Sequence, residues 1–420
     1  MGKSGIGTAA AALTALALAA SACASGKATG GEPATGGDGV RTGPGVTADT
    51  ISLGILTDLT GPYASFGKSL TQAQQLYFEQ TNAAGGVCGR KLQGIVRDHG
   101  YDVQKAVAAY TEIGPKSAAV PQFIGSPMVT ALKQRIEGDK MLTLPMAWAT
   151  SLLGGQAIQV TGTTYDIDMI NGVDYLAKEK GVKSGDKIGH LYFEGDYGES
   201  ALNGSKYAAG KLGLTVVEQK IKATDQDMSA QVSAFKDAGV KAIMVSAGPR
   251  QAASLVGVAV AKGMDIPFVG SNSAYSPQLL GTPAAPALLK SFSVMTAAAP
   301  MSAPIPAIQK LVSDYQAKYP GQPVDSGVGA GYGAAMIVGD ALKKACESKD
   351  LSREGIVKAH RSQPSWEGGF GQPMDFSRID QPASRASYVV KPDKTAVGGS
   401  VIVKEAAVSD LAKDYQVPVG

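Results

Sequence analysis

ISLGILTDLTGPYASFG, residues 51–67, is an aliphatic, β-rich run that ends in the turn Thr60-Gly61-Pro62. Directly after it, KSLTQAQQLYFEQTN (68–82) carries Leu70, Ala73, Leu76 and Tyr77 at helical spacing. Strand, turn and helix form one unit, and outward from it the unit repeats. LQGIVR, VQKAVAAYTEI, VPQFIG, VTALKQRIE and MLTLPM continue the alternation to Met146. A second series begins near Asp166. Its strands are expected at 187–193, 214–221, 241–247 and 266–270, with helices near 200–212, 228–238 and 251–262. Alternation of this kind predicts an α/β fold with parallel sheets covered by helices on both faces. Two series of similar size predict two doubly wound lobes, with a ligand cleft at the carboxyl ends of their strands.

The ends of the chain read differently. Residues 1–22 hold one charge, Lys3, and an Ala- and Leu-rich run from Ala9 to Ala20, the pattern of a secretory signal peptide. That run ends Ala20-Ser21-Ala22-Cys23 and resembles a bacterial lipobox, which would make Cys23 a lipidated first mature residue. A plain signal followed by an incidental Cys is the other reading. Residues 23–48 are Gly-, Ala-, Thr- and Pro-rich with no periodic apolar face, so a flexible tether is expected there. Such a chain would stand outside the cytoplasm, anchored to the outer face of the cell membrane. Its 420 residues suffice for two or three domains. A net charge of +3 is too near neutral to suggest nucleic acid as a partner.

Taken together, 51–67, the Asn82-Ala83-Ala84-Gly85-Gly86-Val87-Cys88-Gly89-Arg90 block, residues 98–102 and Tyr197-Gly198 resemble the branched-chain amino acid type of ABC-transporter substrate-binding protein. The resemblance spans roughly residues 50–390. It implies a type I periplasmic binding fold, two lobes joined by three crossings, with the chain returning to the first lobe near 296–300 and crossing again near 371–377. Lobe 1 would then comprise 49–165 and 300–375, and lobe 2 residues 166–299 and 376–420. The implied function is capture of a small polar or amino-acid-like ligand and its delivery to a membrane permease, by a monomer without a cofactor or covalent chemistry. Two other classes stay open: a ligand-sensing lipoprotein coupled to a membrane receptor, and an anchored hydrolase.

By the same resemblance, Ser126 and the Ala147-Trp148 pair hold the ligand carboxylate, with Thr150 a neighbouring hydroxyl, and Phe66, Tyr197 and Tyr332 wall the cleft. Ser126 reads equally well as a helix cap, and core packing is the other reading of the aromatic residues. Asn272 falls where members that bind amino acids place an acidic residue. A desolvated ammonium requires a carboxylate partner, so Asn272 suggests a ligand without a free ammonium. No metal site is expected from His99, His190 and His360, which are far apart in sequence and lack second ligands at metal spacing. Gly61 to Ser69 is one residue too long for a phosphate loop. The Gly329-Ala330-Gly331-Tyr332-Gly333-Ala334 run imitates a dinucleotide fingerprint, but no strand leads into it, and helix packing at small residues is the better reading. With Cys23 assigned to lipid, Cys88 and Cys346 remain as an even pair in an oxidising setting, and a disulfide between them is expected.

Overall fold

A computed structural model describes residues 34–35 and 39–419; the expected signal segment, Cys23 and most of the expected tether lie outside the described residues. The chain joins the fold before residue 48, where the tether was expected to end. After β1 (Ala34–Thr35), the strand β2 (Arg41–Thr42) pairs in parallel with a short late strand, Asp350–Leu351, and Val40 is buried beside it. Val40, this two-residue ladder and ion pairs from Arg41 to Asp350 and Glu354 dock a segment whose composition gives no periodic signal.

Lobe 1 starts with β3 (Thr50–Thr57), α1 (Ala64–Ala83), β4 (Lys91–Asp98), α2 (Val103–Ile113), β5 (Ala119–Ile124), α3 (Ser126–Gly138) and β6 (Thr143–Met146). The strands form a parallel sheet in the order β4-β3-β5-β6. Side chains alternate across a strand, so Ile51, Leu53 and Ile55 join the core beneath α1, while Leu56 joins the core beneath α2 and α3. Gly67 opens α1 because a Cβ there would stand 2.0 Å from the Asp58 carbonyl oxygen. The helix therefore starts hard against the turn that leaves β3.

Lobe 2 follows with α4 (Tyr165–Glu179), β7 (Lys187–Phe193), α5 (Asp196–Leu212), β8 (Thr215–Ile221), α6 (Ser229–Ala238), β9 (Ala242–Ser246), α7 (Pro249–Ala261), β10 (Phe268–Gly270), α8 (Ala285–Ser291) and β11 (Phe292–Thr296). The chain then returns to lobe 1 for α9 (Pro306–Lys318), α10 (Ser326–Glu347), β12 (Asp350–Leu351) and α11 (Arg353–Arg361). It crosses back for β13 (Ser387–Pro392), β14 (Ser400–Ala407) and α12 (Asp410–Asp414). The second sheet runs β14-β13-β11-β10-β9-β7-β8. It is mixed rather than all parallel, because β13 arrives from the other lobe, pairs antiparallel with β11, and continues antiparallel into β14.

Three crossings join the lobes and are bonded to one another. Thr163 Oγ1 in the first donates to the Ser384 and Ala386 carbonyls in the third, at 3.2 and 2.9 Å. The second meets the third through an antiparallel bridge between Ala298 and Gly371. Below this hinge, Asp168 on α4 accepts from Ser387 Oγ at 2.6 Å, and its other oxygen has no partner among the described residues. Burial, opposed by the Ser387 hydrogen bond and reinforced by nearby Asp166, pushes the Asp168 carboxyl up to about 7.

The sign follows from linkage. Between its ordinary pKa of about 3.9 and 7 the unfolded chain releases a proton that the native state keeps, so this group lowers stability as pH rises through that window and contributes no further change above it. His99, His190 and His360, buried with lowered pKa values, act in the opposite sense as pH falls below about 6.5. The informative quantity is therefore a difference. In denaturant titrations, D168N should gain stability relative to wild type from pH 4 to 7 and hold a constant gap above 7. A gap independent of pH would show that Asp168 does not titrate in that range.

Candidate ligand-binding site

The turn after β3 is built by one carboxylate. Asp58, fully buried, accepts from the Gly61 and Tyr63 amides at 2.5 and 2.9 Å and from that of Thr60 at 3.2 Å. This presents residues 61–66 to the cleft. From lobe 2, Gln278 reaches across it and donates through Nε2 to Ser65 Oγ at 2.7 Å, so the lobes touch over a cavity of about 300 Å³.

The cavity has two chemically distinct ends. In lobe 2, Arg250 follows β9 while Asn272 and Ser273 follow β10, and these strands are parallel neighbours. In lobe 1 the wall is a face of α10, with Ser326, Gly329, Ala330, Gly333, Ala334 and Ile337. From Ser326 to Ile337 that face is about 16 Å long at 1.5 Å per residue. Its roof is the loop after α11, in which Trp366 and Met374 exchange backbone hydrogen bonds of 2.7 and 3.1 Å, with Phe370 between them. Trp366 is fixed by its indole N–H, which donates to Asp340 Oδ2 at 3.1 Å.

Small residues on α10 do two jobs. A Cβ on Gly331 would stand 2.4 Å from the Leu70 carbonyl oxygen, so that glycine lets α10 close on α1. A Cβ on Gly333 would meet nothing within 4 Å, because it would enter the cavity. The sequence reading of this run as helix packing covers the first job and not the second.

Of the residues picked from sequence, Phe66, Trp148 and Asn272 line the cavity together. Trp148 is held by a 2.5 Å hydrogen bond from Nε1 to the Thr161 carbonyl. Ser126, Ala147, Thr150, Tyr197 and Tyr332 lie outside its lining. Ser126 is the first residue of α3, buried, with its hydroxyl unpartnered among the described residues. Thr150 meets Ser200 Oγ at 3.4 Å. Tyr197 bonds Ser271 Oγ at 2.6 Å, and Tyr332 turns to Gln80 Oε1 at 2.6 Å.

A tyrosine cluster fills the region around Tyr197. The Tyr165 ring lies 4.4 Å from that of Tyr197, Trp148 lies 5.9 Å beyond Tyr165, and Tyr63 and Tyr101 pack at 5.1 Å. Desolvation by burial holds all four phenols well above their ordinary range, so they stay neutral. Tyr63, Tyr101 and Tyr165 were not singled out from sequence, although each stands just before or at a helix start. Arg250, Ile337, Trp366, Phe370 and Met374 were missed as well. The usable signal was three large side chains within the Gly-rich stretch SWEGGFGQPM (365–374).

Among the described residues lining the cavity, Arg250 is the one base and Asp325 the one acid. Asp325 caps α10, accepting from the Gly327 amide at 2.9 Å, and desolvation pushes its carboxyl up to about 6. No group of three or more metal-ligating side chains occurs among the described residues.

The periplasmic binding protein family model matches residues 50–396. The chain belongs to this family. Its two lobes and three crossings are the type I periplasmic binding fold. Among solved structures, this family member is 62% identical to a fatty acid ABC transporter substrate-binding protein from Thermomonospora curvata, with a TM-score of 0.91, covering 92% of this chain and 99% of that one. A branched chain amino acid ABC transporter protein from Thermus thermophilus with bound valine shares the fold at 20% identity, with a TM-score of 0.76 and coverage of 87% and 98%. A leucine-, isoleucine-, valine-, threonine- and alanine-binding protein of Pseudomonas aeruginosa is 26% identical over 345 residues, 80% of this chain and 89% of the relative.

Proposed function

We propose that this periplasmic binding protein captures a long-chain monocarboxylate, a fatty acid, and hands it to the permease of an ABC importer. The observation that carries this reading is the α10 wall: a largely apolar helix face about 16 Å long that lines the cavity, with a glycine open to it midway. A branched-chain amino acid needs neither that length nor that lining. It does need a carboxylate for its ammonium; Asn272 offers none, and the acid in the lining, Asp325, is engaged in capping α10. The name of the Thermomonospora curvata relative agrees.

Each buried methylene contributes about 0.8 kcal/mol, so an alkyl chain can supply the affinity while the head supplies orientation. No covalent step is assigned: among the described residues, the cavity lining presents neither a nucleophile with a base nor a pair of carboxylates. We also propose that Cys23 carries the lipid that holds the protein, as a monomer, outside the cytoplasm, with residues 24–33, before β1, as its tether. Mass spectrometry of the detergent-extracted protein would decide that point.

The test of the ligand class is a thermal-shift and calorimetric series on protein stripped of co-purifying lipid. Saturated acids of rising length should raise the melting temperature progressively, as expected for a ligand that binds only the native state. Leucine, isoleucine and valine should not. Micromolar binding of any of these three, with none of the acids, would overturn the reading.

A further inference from the structure

Resting on the fatty-acid reading, we infer that Arg250 is the carboxylate anchor, which fixes the ligand with its head in lobe 2 and its tail along α10. Arg250 is exposed, lines the cavity, and has no acidic partner among the described residues. A guanidinium with five donors and no partner, placed at the edge of an apolar channel, matches the fork of a carboxylate. Its neighbour completes the fit. β9 and β10 are adjacent and parallel, and the Ser271 amide bonds the Val245 carbonyl at 3.0 Å, so the segments that follow them lie side by side.

On the second segment, Asn272 Oδ1 is already taken by Ser273 Oγ at 2.8 Å. The Asn272 Nδ2 group remains available as a donor, which suits an anion. The opposite orientation would bring the head against Ile337 and Trp366 at the far end of the α10 face, where an unpaired carboxylate would be buried among apolar side chains.

The orientation also assigns roles to the lobes. Lobe 1 takes the alkyl chain by burial, and lobe 2 is drawn onto the exposed head by charge. Closure then depends on the head as well as the tail.

The experiment compares three ligands of one chain length, a fatty acid, its primary alcohol and its methyl ester, on wild type, R250Q and R250K at pH 8. Hydrogen bonds to a charged group suggest that wild type should prefer the acid by about tenfold to a hundredfold. In R250Q that preference should collapse toward unity through weaker acid binding, with the alcohol unchanged, and R250K should recover part of it. Equal weakening of acid and alcohol in R250Q would assign Arg250 to packing or closure, and an unchanged preference would remove it from the head site. Either result overturns the inference while leaving the long-chain reading intact. Failure of wild type to bind any of the three defeats the long-chain reading itself.

Discussion

Replacing Gly333 by Leu is expected to weaken binding of a long-chain acid by about a hundredfold while leaving the fold intact. Gly333 lies in the middle of α10, where a Cβ meets nothing within 4 Å, so the substitution displaces no protein atom at its root. Glycine in a helix interior costs roughly 0.5–1 kcal/mol relative to alanine, so G333A should be neutral or slightly stabilising. The leucine side chain instead occupies the channel one turn before Ile337, about 6 Å of its length. Excluding four methylenes at about 0.8 kcal/mol each removes about 3 kcal/mol, or a hundredfold in affinity. Acids too short to reach Gly333 should bind the variant as they bind wild type. The measurement is a chain-length series by calorimetry on wild type, G333A and G333L. Unchanged binding of the longest acid by G333L would place the tail elsewhere. G331L is the contrast, since its side chain would be driven into the Leu70 backbone and the helix pair would have to part.

The alternation that began at residue 51 was enough to read two α/β series, because strands and helices with one buried face must repeat their apolar residues at fixed periods. The three crossings came from resemblance and not from periodicity. The antiparallel strands β13 and β14 carry no comparable signal, since a short hairpin at a sheet edge looks like many other segments. The site was legible in part. Trp148 and Asn272 stand just past strand ends and Phe66 in the first turn of the helix after β3, where any two-lobed sheet would put its cleft, and the structure gathers them around one cavity.

The α10 wall was hidden for a physical reason. Gly331 and Gly333 are two residues apart in the same run, and sequence alone does not say that one meets a helix while the other meets empty space. The tyrosines were hidden because Tyr63, Tyr101 and Tyr165 come from three separate junctions. Tyr63 meets Tyr101 only once lobe 1 has folded, and Tyr165 meets Tyr197 only once lobe 2 has.

Removal of the Cys88–Cys346 bridge is expected to cost about 4 kcal/mol of stability and to leave ligand preference unchanged. The two cysteines are bonded with Cα atoms 6.0 Å apart and 258 residues apart in sequence. They join the turn that follows α1 to the last turn of α10, at the end of the helix pair away from the cavity. In the chain-entropy account a closure of this length restricts the unfolded state strongly, by about 4–5 kcal/mol at most, and native strain or residual structure lowers that figure. Placement argues for an effect on α10 in particular. The bridge clamps one end of α10 while Gly331 and Gly339 pack the rest of the helix onto α1, against Leu70 and Tyr77. Reduction should therefore loosen the helix that forms the channel wall before it loosens lobe 2. The double variant C88A/C346A, which avoids leaving a single thiol, should melt at a markedly lower temperature and show faster hydrogen exchange in α1 and α10 than in β7 to β9. Its binding should still favour long chains over amino acids wherever it remains folded. Equal stability of the variant and wild type, or two free thiols on alkylation of the native protein, would contradict the expected role of the bridge.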